Sequence, residues 1–427
     1  MRRAYLAAAV VIIVAAAVAY SALSASVIQG GPAPVEVGPP DLASLPVVSA
    51  SEIESAVIPR EIADSNNAFA ADFYRQVSGE EGNIFFSPLS MYTAFSLLYE
   101  GASGDAVAEL EDAFGFEPDA RARHNATAHA IASINRDDPH AELALANSLW
   151  PFVGDVVPEY LNVARSTYLA TIEDPGYNES AENRGDEPAR RINQWTSDMT
   201  NGTITGIFGP NSFPDPILVI VNAVYFKGTW ETQFPPEDTE KNDWHGEGDA
   251  EADYMNVVGA FDYAEYDGLQ VLRMPYEGDR LSMTVVLPEP GGMKELEESI
   301  SAEQMAVWTD GTSKIIVDVT MPKFTASTKY SLNNYLKALG VSQIFEPGPN
   351  VPLAGIYHGA VVGRADHMAF VDVNEEGTEA AAVSAALVAS VSVQPPPPQF
   401  KADRPFLFLI QDDESGAVLF MGRVSEP

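Results

Sequence analysis

The stretch LVIVNAVYFKGTW, Leu218 to Trp230, decides how this chain is read. From Leu218 to Phe226 every residue but Asn222 is apolar, with no polar alternation. A strand with one wet face alternates, so this run predicts a strand covered on both faces. Asn222 stands in its middle, and a buried amide needs partners, so a polar network is expected around it. Downstream, LSMTVVLP (Leu281–Pro288), SKIIVDVTMPKF (Ser313–Phe324) and HMAFVDVN (His367–Asn374) read as further strands. PFLFLIQDDESGAVLFMGRV, Pro405 to Val424, reads as a hairpin of two buried strands turning at DDESG.

Upstream the period changes to that of a helix. Ile62, Phe69, Phe73 and Val77 fall at helical spacing in EIADSNNAFAADFYRQV. In FSPLSMYTAFSLLYEGA, Ser87 is a natural N-cap, Pro88 suits the first helical position and Gly101 is a stop. GDAVAELEDAFG predicts another helix ending at Gly115. Helices come early, strands dominate late, and no second linker interrupts them. The expected fold class is α+β, in one large domain over residues 61–427.

The 427 residues, 46% hydrophobic and without cysteine, must be held by packing alone. A formal net charge of −37 argues against nucleic acid or anionic lipid as partners. Only 8 of the 24 basic residues are Lys, which fits a salt-rich environment where charge repulsion is screened. Arg2 and Arg3 precede an apolar run from Ala4 to Tyr20, so residues 1–26 are expected to be a signal peptide. The run is nearly long enough to span a bilayer, and an uncleaved membrane anchor is the alternative. Either way the body is expected outside the cell or on its surface. Residues 27–60, rich in Pro, Gly, Ser and Val, read as a linker. Asn125, Asn178 and Asn201 each open an N-x-S/T sequon.

No enzyme motif is found: no G-x-S-x-G, H-E-x-x-H, Walker loop or complete G-x-G-x-x-G. HGEGDAEAD, His245 to Asp253, lacks the ligand spacing of a calcium loop and reads as a solvated acidic turn. His124 and His129 are off one helical face and read as surface residues.

Five segments in order carry a resemblance: NIFFSPLSMYTAFSLLYEGA, LVIVNAVYFKGTW, MPYEGDRLSMTVVLP, VNEEGTEAAA and ADRPFLFLI with AVLFMGRV. From Glu61 to Pro427 the body resembles the serpin family. The resemblance implies three β-sheets, about nine helices and an exposed reactive-centre loop. It also implies a suicide inhibitor of serine proteases: the enzyme cleaves the loop, becomes acylated, and is carried along as the loop inserts into the main sheet. The partner would be a target serine protease in a covalent acyl complex. A monomer is expected, and no cofactor, metal or catalytic residue is implied.

The resemblance gives particular residues their roles. Glu375, Glu376, Gly377, Thr378, Glu379, Ala380, Ala381 and Ala382 match the hinge of the loop. Thr378, Ala380, Ala382, Ser384, Ala386 and Val388 share one strand parity, and none is charged or larger than Val. That suits a face sliding over a packed core, where an unpaired charge would be costly. Counting from Glu375 with the family's spacing places the reactive bond at Val391–Ser392. Counting back from Pro405 gives Gln394 instead, and Pro395 to Pro398 lie where the two counts diverge. Val391 implies an elastase-like or subtilisin-like target. Ser87, Ser90, Asn222 and His367 match a polar cluster under the centre of the main sheet, Trp230 an aromatic at its top, and Lys323 a base pairing with Glu375. The alternative is a non-inhibitory binding or surface protein whose loop is only a substrate. Gly377-Thr378 followed by Ala380 to Ala382 is the inhibitory pattern.

Overall fold

The computed structural model describes residues 56–427 except 137, 179–183, 211, 214–216, 247, 348–350 and 378–394. Its first helix, α1 (Arg60–Val77), buries Ile62, Phe69, Phe73 and Val77 along one stripe. Helix α2 (Pro88–Tyr99) starts as the sequence predicts, with the Ser87 hydroxyl accepting from the Ser90 N–H at 3.2 Å. All of its side chains are buried, so the helix lies inside the core and has no polar face. Helix α3 (Asp105–Phe114) stops at Gly115, whose φ of 65° is left-handed and whose missing Cβ leaves room for Ser65. Six more follow: α4 (Ala120–Ile134), α5 (Pro158–Ser166), α6 (Asp186–Met199), α7 (Met293–Glu298), α8 (Ala302–Asp310) and α9 (Asn333–Ala338). The described residues thus hold nine α-helices, in an α+β arrangement.

The strands are β1 (Ile84–Phe86), β2 (Ala141–Pro151), β3 (Thr171–Ile172), β4 (Leu218–Gly228), β5 (Glu240–Gly246), β6 (Gly248–Tyr266), β7 (Leu269–Pro275) and β8 (Leu281–Pro288). They continue with β9 (Ser313–Pro322), β10 (Phe324–Ser331), β11 (Val362–Val373), β12 (Gln399–Lys401), β13 (Phe406–Asp412) and β14 (Val418–Val424). One five-stranded sheet has the order β10-β11-β4-β2-β3. The other nine strands form a single hydrogen-bonded path, β1-β14-β13-β8-β7-β6-β9-β12, with β5 added on β6. That path holds two sheets, because the long β6 pairs with β5 and β9 along most of its length and with β7 only over its last residues. Of the three sheets implied by the resemblance, two are therefore joined through one strand, and the five-stranded sheet stands apart.

The apolar β4 is buried at every position except the half-buried Lys227, as a strand covered on both faces should be. On one side it pairs antiparallel with β2, and on the other parallel with β11. Most pairing elsewhere is antiparallel, so this parallel contact is a seam between two halves of the sheet. Helix α2 lies beneath it, and α6 with the segment after it packs on the opposite face, through Ile192, Ile204 and Phe208 against Val219 and Val221.

Candidate functional site

Three polar residues lie in register across the seam: Asn147 on β2 is opposite Asn222 on β4, which is opposite His367 on β11. All are almost wholly buried, so each needs a partner, and helix α2 supplies the rest. The Ser87 backbone N–H donates to His367 Nε2 at 3.0 Å, which puts the ring proton on Nδ1. Nδ1 then donates to Asn222 Oδ1 at 2.5 Å. The Asn222 amide donates to Ser90 Oγ at 2.5 Å and to Asn147 Oδ1 at 2.6 Å. Asn147 in turn donates to Thr93 Oγ1 at 3.0 Å. Burial pushes His367 down to about 3, so the imidazole is neutral near pH 7 and can both accept and donate. The network ties both sides of the seam to one helix.

The β4·β11 ladder ends at the pair Tyr225–Phe370, short of the ends of both strands. Beyond it, β11 runs into a tight reversal in which Asn374 and Gly377 exchange backbone hydrogen bonds of 2.8 and 3.2 Å. Gly377 has φ of 137°, and a Cβ there would collide with the Gly228 carbonyl oxygen, so only glycine fits. The reversal docks on the segment after β4: Trp230 N–H donates to Glu376 O, Phe234 N–H to Glu375 O, and Trp230 Nε1 to Asn374 O. The Trp230 ring is buried and stacked on Tyr276 with centroids 4.4 Å apart.

Glu375 is anchored by its side chain as well. Its carboxylate lies 2.9 Å from Lys323 Nζ and accepts from the Thr239 hydroxyl at 2.8 Å. Burial raises this carboxyl, but the hydrogen bonds from Lys323, its own backbone and Thr239 outweigh burial and hold it below the ordinary value.

The structure therefore brings Ser87, Ser90, Asn222 and His367 together at the seam, and Glu375, Glu376, Gly377, Trp230 and Lys323 at its upper end. Ser87 enters through its backbone N–H, its side chain serving as the helix cap. Thr378, Glu379, Ala380, Ala381, Ala382, Val391, Ser392 and the alternative Gln394 lie outside the described residues, as do the expected signal segment and residues 27–55 of the linker. Asn147, Thr93, Thr239 and Tyr276 are members that sequence reasoning missed. Asn147 carried a fainter signal than Asn222, an amide in the run ALANSLWP, whose strand is only partly buried. One expectation is corrected: His124 is not a surface residue but is 2% exposed, with Nε2 2.6 Å from the buried Glu100 carboxylate, which also holds Arg123. Helical spacing alone could not show that a charge at the end of α2 waits beneath α4.

The chain belongs to the serpin family: the family profile described as Serpin (serine protease inhibitor) matches residues 64–427. It is 35% identical over 376 residues to an uncharacterized serpin-like protein of Thermococcus kodakarensis, covering 86% of each chain. It is 33% identical to the human leukocyte elastase inhibitor, covering 86% of this chain and all of the other. Among solved structures it is similar to human thyroxine-binding globulin in complex with thyroxine, with a TM-score of 0.76, 27% identity, and coverage of 86% of this chain and 100% of that one.

Proposed function

We propose that the protein is an exported suicide inhibitor of serine proteases with elastase-like or subtilisin-like specificity. The reactive bond is Val391–Ser392, with the bond after Gln394 as the other count. The observation that carries this reading is the direct parallel pairing of β4 with β11, ending at the reversal Asn374–Gly377. A strand formed by the residues after Gly377 and lying between β11 and β4 would run antiparallel to both. Insertion then replaces one parallel ladder with two antiparallel ones, and a row of backbone groups gains partners. Each added hydrogen bond contributes about 1 kcal/mol net, so the intact protein is held by a barrier rather than by its depth. The bland side chains of one parity, Thr378 to Val388, make the entry cheap.

The test is to mix the protein with elastase-like and subtilisin-like enzymes and run denaturing gels. A complex that survives denaturant supports the reading, and clean loop cleavage without complex across the panel sinks it. That second outcome belongs to the other reading, a binding protein whose loop is only a substrate. The thyroxine-bound neighbour is the observation that favours it. Sequencing the N-terminus of the mature protein separates a cleaved signal from a retained anchor at residues 4–20.

A further inference from the structure

Strand β9 is paired along only part of one edge. On one side it pairs with β6 over its whole length, Ser313 to Pro322. On the other it pairs with β12 only from Asp318 to Thr320. In that short parallel ladder the Asp318 N–H donates to the Pro398 carbonyl at 2.9 Å, and the Thr320 carbonyl accepts from the Ala402 N–H at 3.0 Å. A residue's N–H and C=O point to the same side of a strand, so the even-numbered residues of β9 face β12. Lys314 and Ile316 share that parity, and no strand lies beside them among the described residues. Ser313 to Ile316 are exposed, so this edge is open to any extended chain that can pair with it.

The chain that leads into β12 ends in four prolines, and their register matches this edge. Continued upstream from the pair Gln399–Asp318, Pro398 falls opposite Val317, Pro397 opposite Ile316, Pro396 opposite Ile315 and Pro395 opposite Lys314. Gln394 then falls opposite Ser313, the first residue of β9. The prolines thus span the free part of the edge. To lengthen the ladder, position 398 must donate to the Ile316 carbonyl and position 396 to the Lys314 carbonyl. Proline has no N–H, so neither bond can form. Pro395 and Pro397 have the other parity, where a donor would point away from β9. The ladder stops where this chemistry stops it, at the Pro398 carbonyl. Downstream the anchor is firm: Phe400 and Ala402 are fully buried, and the Gln399 carbonyl accepts from Gln270 Nε2 at 3.0 Å.

We propose that Pro396 and Pro398 are positioning residues that keep the loop from zipping onto β9, and so hold the reactive bond clear of the body. The proposal rests on the inhibitory reading given above. With donors at these two positions, parallel pairing would run on to Ser313 and bring Gln394 down onto the strand, with Ser392 two residues beyond. A protease takes its substrate as an extended strand paired with its own cleft, so backbone groups already bonded to β9 are lost to the enzyme. Less of the loop would also be free to enter between β4 and β11. A proline run holds a left-handed extended helix of three residues per turn, which does not match the two-residue alternation of a strand. The side each proline faces decides its part: the two whose missing N–H would point at β9 do the blocking, and their neighbours do not.

The experiment compares the whole wild-type protein with Pro398→Ala, with the double variant Pro396→Ala/Pro398→Ala, and with Pro397→Ala, which removes a proline without giving β9 a donor. Two readouts need no inhibition: the rate at which dilute subtilisin cuts the loop, and hydrogen exchange at the Ile316 amide, which gains a partner at position 396 only when the ladder lengthens. The rate of covalent complex formation is the third. In the double variant all three should slow by roughly tenfold, the scale of the hydrogen bonds regained. Pro398→Ala should move the same way by a smaller factor, and Pro397→Ala should match the wild type. Equal effects in all three variants would mean that chain stiffness alone acts, and would overturn the proposal. Cleavage and exchange within twofold of the wild type in the double variant would overturn it too. If the wild type forms no complex with any enzyme the inhibitory reading fails, while cleavage and exchange still decide whether the prolines guard β9. A variant that melts early is replaced by its serine counterpart, which regains the same N–H.

Discussion

Lys323 and Glu375 lie 2.9 Å apart and join the end of β9 to the reversal that follows β11. The lysine is 39% exposed and the glutamate 12%, so water weakens the pair without removing it. A double-mutant cycle with Lys323→Ala and Glu375→Ala should give a coupling of about 1 kcal/mol at low salt, and less at high salt. The folded carboxyl titrates below the unfolded one, so this contribution is present above the ordinary glutamate range and is lost as pH falls through the folded value. Coupling that persists unchanged in acid would contradict the assignment.

His367 gives a second pH signature in a different window. The unfolded ring takes a proton near 6.5 and the folded ring only near 3. Stability is therefore complete above about 6.5 and falls as pH drops toward 3, by roughly tenfold in the folding constant per pH unit. Denaturant unfolding at pH 7 and pH 5 should show this loss, and His367→Gln should be less stable at pH 7 yet lack that part of the pH dependence. Equal slopes in the two proteins would show that the ring does not titrate as described.

Gly377→Ala places a methyl group against the Gly228 carbonyl and forces an unfavourable φ. The reversal should undock, at a cost of about 1–3 kcal/mol, and limited proteolysis of the intact protein should cut the hinge several times faster. Unchanged cleavage would mean that the reversal is not held by this glycine.

Phe208, on the segment after α6, accepts two cations: Lys329 of β10 lies 4.3 Å from the ring centre and Arg364 of β11 5.0 Å. The segment is also tied to α6 by paired hydrogen bonds between Asn193 and the Phe208 backbone. It thus reaches across the seam from the β4 side to the β11 side. Phe208→Leu keeps most of the apolar volume, so it should cost about 1–2 kcal/mol in melting experiments while raising the rate of loop insertion. A slower insertion would contradict this placement.

Much of this architecture is legible in the residues themselves. Asn222 announces a polar network because an amide in a continuous apolar run has no solvent to turn to, and Ser87 announces its helix because capping is local chemistry. Asn147 escapes because its strand is only half covered, so the amide looks unremarkable among Ala and Leu. His124 escapes for a different reason: its partner, Glu100, belongs to another part of the chain, and periodicity reports only one helix at a time. The joining of two sheets through β6 is equally invisible in the sequence, since pairing partners are far apart along the chain. The fit of Gly377 against Gly228 exists only once both segments are in place.

Thr378→Arg tests the assigned strand parity, because a guanidinium must then enter the sheet first. This variant should be cleaved by the target enzyme at the normal rate yet form little complex, because insertion becomes slower than release of the enzyme. Complex formation at wild-type yield would contradict the assigned face.

The most direct measurement is the melting temperature of the protein before and after its loop is cut between Gly377 and Pro395. If the cleaved strand enters between β4 and β11, the temperature rises steeply, by tens of degrees, because a row of backbone hydrogen bonds is added to the centre of the sheet. An unchanged or lower melting temperature in the cleaved protein would contradict strand insertion itself.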